Sequence, residues 1–212
     1  GPFRFLNVVL TGTGKKTWDK CGIHNPAIHK VGDKYALLYI SNDNYKQPPH
    51  PKNQKIGMLI ADHLNGPWKK VGKDGCILSP SSNPDHWTNN AGNGVVNPAL
   101  LVHPKGGYLL YFKSNKSQMG VAFAEHIEGP YVMYPEPVTR NNLAIEDGYA
   151  FIWKDKICLL TTDNHGILNE GGGILWSSDD GITFDRKEAG FYPFEYYVGK
   201  DRLKKAKGLY GK

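Results

Sequence analysis

Residues 146–163 read EDGYAFIWKDKICLLTTD, two acids standing directly before an apolar stretch. Tyr149, Phe151 and Trp153 alternate with Gly148, Ala150 and Ile152, a period of two that marks a β-strand with two different faces. Lys154 and Asp155 read as a tight turn, and residues 156–163 repeat the alternation as the returning strand of a hairpin.

Earlier in the chain the same arrangement occurs twice. HNPAIHKVGDKYALLYIS from His24 aligns with VNPALLVHPKGGYLLYFKS from Val96, and the stretch from Glu146 takes the same place a third time. A second repeated block follows in two of the units, KIGMLIADHLNGPW from Lys55 and QMGVAFAEHIEGPY from Gln118, which brings Gly57 level with Gly120. Gly-Pro-aromatic occurs at Gly1, Gly66 and Gly129, separated by 65 and 63 residues. Such periodicity denotes units that bury their faces on one another.

The fold expected is therefore all-β, a β-propeller of short antiparallel strands, with no amphipathic helix. The expected blade units run over approximately residues 4–68, 69–131 and 132–190, with 191–212 a basic tail or the lead-in to a further blade. The chain opens on the end of a unit, so we expect an incomplete propeller with about three full blades visible, part of a longer protein. SSDDGITF, residues 177–184, fits the Asp-box pattern of sialidase-type propellers, in which Asp179 would brace a turn rather than catalyse.

With 212 residues and 40% apolar composition the chain can bury a core. No apolar run approaches the roughly 18 residues of a membrane helix, and no secretory signal opens it. Cys21, Cys76 and Cys158 are too few and too scattered for a disulfide framework and read as packing residues. The net charge of +6 draws on a basic cluster in residues 200–212, which we read as a solvated tail, with nucleic acid and membrane excluded as partners. Zinc-type spacing, a phosphate-binding glycine loop and a Gly-x-Ser-x-Gly elbow are all missing from the sequence.

The NPA strand starts at Asn25 and Asn97, the GPW and GPY turns and the acidic start of the third unit resemble the five-bladed propeller glycosidases. These are glycoside hydrolase family 43 and its relatives, including family 117, which acts on neoagaro-oligosaccharides. The resemblance spans residues 18–184 at the level of blade pattern. It implies an Asp base on the first blade, an orienting Asp on the third and a Glu general acid on the fourth, often in a Glu-Gly-Pro run. If the units here are blades two to four, Glu146 takes the acid's place, Asn97 the orienting position, and the base lies before Gly1. Two departures stand out: Asn97 cannot ionise, and Asp147-Gly148 replaces Gly-Pro and adds a second acid.

The expected catalytic candidates are Glu146, which partial burial would suit to proton donation, and Asp147, which the pleat should turn to the opposite side. Each has a plainer reading, as a solvated carboxylate or an inter-blade hydrogen-bond partner. Candidate sugar contacts are His24, Asn25, Asn97 and Lys113 at strand ends, and Trp87, an aromatic for stacking or for capping its blade. Asp163 and His165, at the end of a second strand, complete the candidate set. The activity implied is hydrolysis of terminal residues of a plant or algal oligo- or polysaccharide with inversion; the alternative is a propeller that holds a glycan without cleaving it. No cofactor is required, with room for a structural or axial divalent cation. Homo-oligomerisation or missing segments would complete the ring, and a secreted or periplasmic location follows by analogy only.

Overall fold

The computed structural model describes residues 2–43, 53–89, 92 and 94–192. The expected basic tail lies outside these residues except at Phe191 and Tyr192, as does Gly1 of the first Gly-Pro-aromatic.

Three antiparallel sheets follow one another along the chain. The first holds β1 (Cys21–Val31), β2 (Lys34–Asn42), β3 (Lys55–Ala61) and β4 (Lys69–Lys70) in that order, with β5 (Cys76–Leu78) also on β3. The second runs β6 (Val96–Val102), β7 (Tyr108–Lys113), β8 (Met119–Ala124) and β9 (Val132–Met133). The third is β10 (Glu146–Trp153), β11 (Lys156–Asp163), β12 (Gly172–Ser178) and β13 (Arg186–Phe191). A single 3-10 turn at Asn115–Ser117 is the one helical element among the described residues. This is the all-β meander architecture of successive propeller blades. The Gly-Pro-aromatic tripeptides do not end the sheets: both described peptides, Gly66–Pro67 and Gly129–Pro130, are cis and lead into β4 and β9. The sheets therefore run slightly past residues 68 and 131.

Strand alternation sends neighbouring residues to opposite blade interfaces. Leu100 joins Leu38, Ile56 and Met58 between the first and second sheets, whereas Ala99 joins Ala150, Leu159 and Trp176 between the second and third. The second sheet thus contributes to a core on either side and buries its two faces only against its neighbours.

The repeated glycines are seats for tryptophans. A Cβ on Gly57 would lie 2.6 Å from Trp18 and 2.3 Å from Tyr39; one on Gly120 would lie 2.5 Å from Trp87 and 2.7 Å from Phe112. Trp87 stacks on Phe112 with centroids 5.9 Å apart, and Trp18 on Tyr39 at 5.6 Å.

In the turn at residues 177–184, Gly181 takes φ +76° as the pattern requires. The bracing acid, however, is Asp180: it accepts from the N–H groups of Ile182 at 2.8 Å and Thr183 at 2.7 Å. Asp179, expected in that role, instead pairs with Lys156 on the surface. The turn is tied to the second sheet by Tyr111, whose hydroxyl donates to Gly181 O at 2.9 Å.

Candidate functional site

Each sheet's first strand carries the same irregularity. Along β1, β6 and β10 the pairing skips from His24 to Ala27, Val96 to Ala99 and Glu146 to Tyr149, while the partner strand advances by only two residues. Each strand thus carries one extra residue at this point, a β-bulge, and β1 carries a second between Cys21 and His24. The residue after His24, Val96 and Glu146, the first of each bulge, has positive φ in all three: Asn25 +48°, Asn97 +53° and Asp147 +52°. Asn and Asp are the side chains that tolerate this region best apart from glycine, which accounts for the residue types found there.

The bulge has a direct chemical result, because it suspends the alternation that would send adjacent side chains to opposite sides. Glu146 and Asp147 both line one cavity of 390 Å³, together with His24 and Asn25 from the first sheet and Asn97 and Lys113 from the second. The expectation that Asp147 turns away from Glu146 is therefore corrected. The register also shows which residues are equivalent: Asp147 matches Asn25 and Asn97, while Glu146 matches His24 and Val96.

Lys113 sits opposite Val96 on β7, where the first sheet has Ile40 and the third has Thr162. Its side chain is only 6% exposed, and its ammonium forms an ion pair with Glu146 Oε1 across the blade boundary. Thr162 pins the Glu146 backbone from the other side, accepting from its N–H at 3.1 Å and donating to its carbonyl at 3.2 Å. His24 Nδ1 lies 2.5 Å from Gly22 O; since a carbonyl only accepts, that ring nitrogen carries the proton. Between sheets, Asn25 Nδ2 donates to Asn97 Oδ1 at 3.1 Å, and Asn97 Nδ2 donates to Asp147 Oδ1 at 2.9 Å.

Three expected contacts are not among the residues lining this cavity. Trp87 is packed on Phe112 against Gly120, the capping alternative. Asp163 is fully buried and accepts from the N–H groups of Ile167, Leu168 and Asn169 at 2.7, 2.8 and 2.7 Å, so it braces the β11–β12 loop. Burial pushes its carboxyl up, but these bonds together outweigh burial and hold it below the ordinary carboxylate value. His165 is exposed in the same loop. Gln54 also lines the cavity, and no repeat or motif marks it in the sequence. Among the described residues no three His, Cys, Asp or Glu side chains are grouped to hold a metal ion.

No family model matches the sequence, and no curated protein matches it either. Solved structures do. A family 117 glycoside hydrolase, Zg3597, from the marine bacterium Zobellia galactanivorans, matches with a TM-score of 0.70 at 20% identity, over 89% of this chain and 52% of that one. A protein of glycoside hydrolase family 130, a family of mannoside phosphorylases that contains glycoside hydrolases targeting β-1,2 mannosidic linkages in Candida mannan, matches with a TM-score of 0.67 at 13% identity. It covers 87% of this chain and 59% of that one. CoXyl43, a family 43 β-xylosidase/α-arabinofuranosidase from a compost metagenome, matches with a TM-score of 0.59 at 17% identity, over 81% of this chain and 61% of that one. The fold is thus that of the five-bladed propeller glycosidases, and the chain spans about half the length of the first of these structures.

Proposed function

We propose that the cavity binds a carbohydrate and that the chain takes part in hydrolysing glycosidic bonds at the ends of a plant or algal oligo- or polysaccharide. The observation that carries this reading is the convergence of two carboxyls, Glu146 and Asp147, with the Asn25 and Asn97 amides and the Lys113 ammonium on one cavity. Carboxylates and amides placed together accept from and donate to vicinal hydroxyls, the groups a sugar ring presents. The likeness in fold to glycoside hydrolases supports the same reading.

In this scheme Glu146 protonates the leaving glycosidic oxygen while a water attacks the anomeric carbon from the opposite face, with inversion. The base that activates this water would be a carboxyl about 6.5–9.5 Å from the acid. A carboxylate that accepts from an ammonium has no proton to give. Hydrolysis therefore requires Glu146 to exchange Lys113 for a proton when substrate enters.

That same ion pair favours a second reading, in which the cavity holds a glycan without cleaving it. Asn25 and Asn97, unable to ionise, fit it equally. The two separate on a panel of p-nitrophenyl glycosides and plant and algal oligosaccharides. Turnover supports hydrolysis; saturable binding that perturbs Asn97 and Glu146 resonances without turnover supports the second reading; neither result refutes both.

A further inference from the structure

Asn25, Asn97 and Asp147 hold equivalent places on three successive sheets, and their side chains form one continuous line of hydrogen bonds. The line has a fixed direction. A carboxylate only accepts, so Asn97 must turn its NH2 toward Asp147 at 2.9 Å. Its amide oxygen then faces Asn25, which must present its own NH2 at 3.1 Å. One charged group at the end of the line thus sets the orientation of two neutral amides on the neighbouring blades. Among the described residues Asp147 Oδ2 makes no hydrogen bond, and Asp147 is exposed to the cavity.

We propose that Asn25 and Asn97 are positioning residues acting in series: rather than ligating sugar separately, they hold the Asp147 carboxylate so that Oδ2 accepts from a hydroxyl of the bound sugar. This rests on the reading that the cavity takes a carbohydrate. It also assigns the two acids different work. Asp147, held by an amide, fixes how the sugar lies, and Glu146, held by Lys113, remains the group placed for proton transfer. The positive φ at all three positions fits this division, since it is the bulge that aims Asn25, Asn97 and Asp147 along one line across the blade boundaries.

The backbone supplies clean variants. Glycine adopts positive φ without strain, so Asn25→Gly and Asn97→Gly delete the side chain while easing the backbone, and both should fold. In the ligand-free protein, Asp147→Asn removes the charge that sets the direction. The expected result is a shift of the Asn25 side-chain NH2 resonances in 1H–15N spectra, although Asn25 does not touch Asp147, with no such shift in Glu146→Gln. Unmoved Asn25 resonances in Asp147→Asn would overturn the series.

Kinetics on the p-nitrophenyl glycoside panel give the second reading of it. Asn97→Gly should lower kcat/KM about tenfold and Asn25→Gly less, and the double variant should be no worse than Asn97→Gly, because a broken series cannot be broken twice. Losses that multiply would show two independent sugar contacts and overturn the proposal. If the wild-type chain neither cleaves nor binds any member of the panel, the functional reading fails, while the ligand-free spectra still decide the series.

Discussion

Lys113 and Glu146 form an ion pair whose two ends lie in different surroundings: the lysine side chain is 6% exposed and the glutamate 43%. Removing either partner therefore has unequal effects. Glu146→Ala leaves a buried ammonium without its carboxylate and should cost about 2 kcal/mol of stability. Lys113→Met replaces the ammonium by an apolar chain of similar length and leaves a glutamate that water can reach, so its urea midpoint should stay near the wild-type value. Equal losses in the two variants would show that the pair is not held as described.

Trp87 and Gly120 form a packing pair, which predicts effects on stability rather than on ligand. A Cβ at Gly120 would stand 2.5 Å from the indole, so Gly120→Ala should destabilise by about 1–3 kcal/mol. Trp87→Ala should cost about 3–5 kcal/mol through the cavity it leaves. Thermal melts check both. Glycan affinity per folded molecule should be unchanged; a selective loss of affinity in Trp87→Phe would return Trp87 to the sugar site.

Asp163 gives the fold an acid-sensitive element. Its native carboxyl lies below the unfolded value of 3.8, so its contribution to stability is complete above that value and is lost as pH falls through the native one. Asp180 is shifted in the same direction, led by the Thr183 N–H, with burial opposing. Urea midpoints should fall as pH is lowered from about 5 to about 2. Asp163→Asn should be weaker at neutral pH and should flatten that acid limb; an unchanged limb would contradict the assignment.

The repeats carried the fold. Gly57 and Gly120 align because each seats an indole, and NPA at Asn25 and Asn97 aligns because each puts its Asn at the bulge of its sheet's first strand. Less of the site was legible. Strand alternation assigns Glu146 and Asp147 to opposite sides, and only the bulge, visible in the pairing register, brings both to one cavity. Lys113 was marked by its charge within an apolar strand, but its partner, 33 residues away on another sheet, leaves no local signal. Asp163 resembled a site acid because an acid ending a strand looks the same whether it meets a ligand or the next loop's N–H groups. Asp179 and Asp180 are adjacent acids in a turn, and one residue of register decides which of them braces it.

Glu146 is proposed to supply the proton in glycoside hydrolysis at the cavity lined by residues of all three sheets. The most direct measurement is turnover of the oligosaccharide panel by Glu146→Gln, which keeps the shape of the side chain and removes the transferable proton. Hydrolysis should fall by about 10²–10⁴-fold while glycan binding is retained. Hydrolysis at the wild-type rate in Glu146→Gln would show that Glu146 is not the acid.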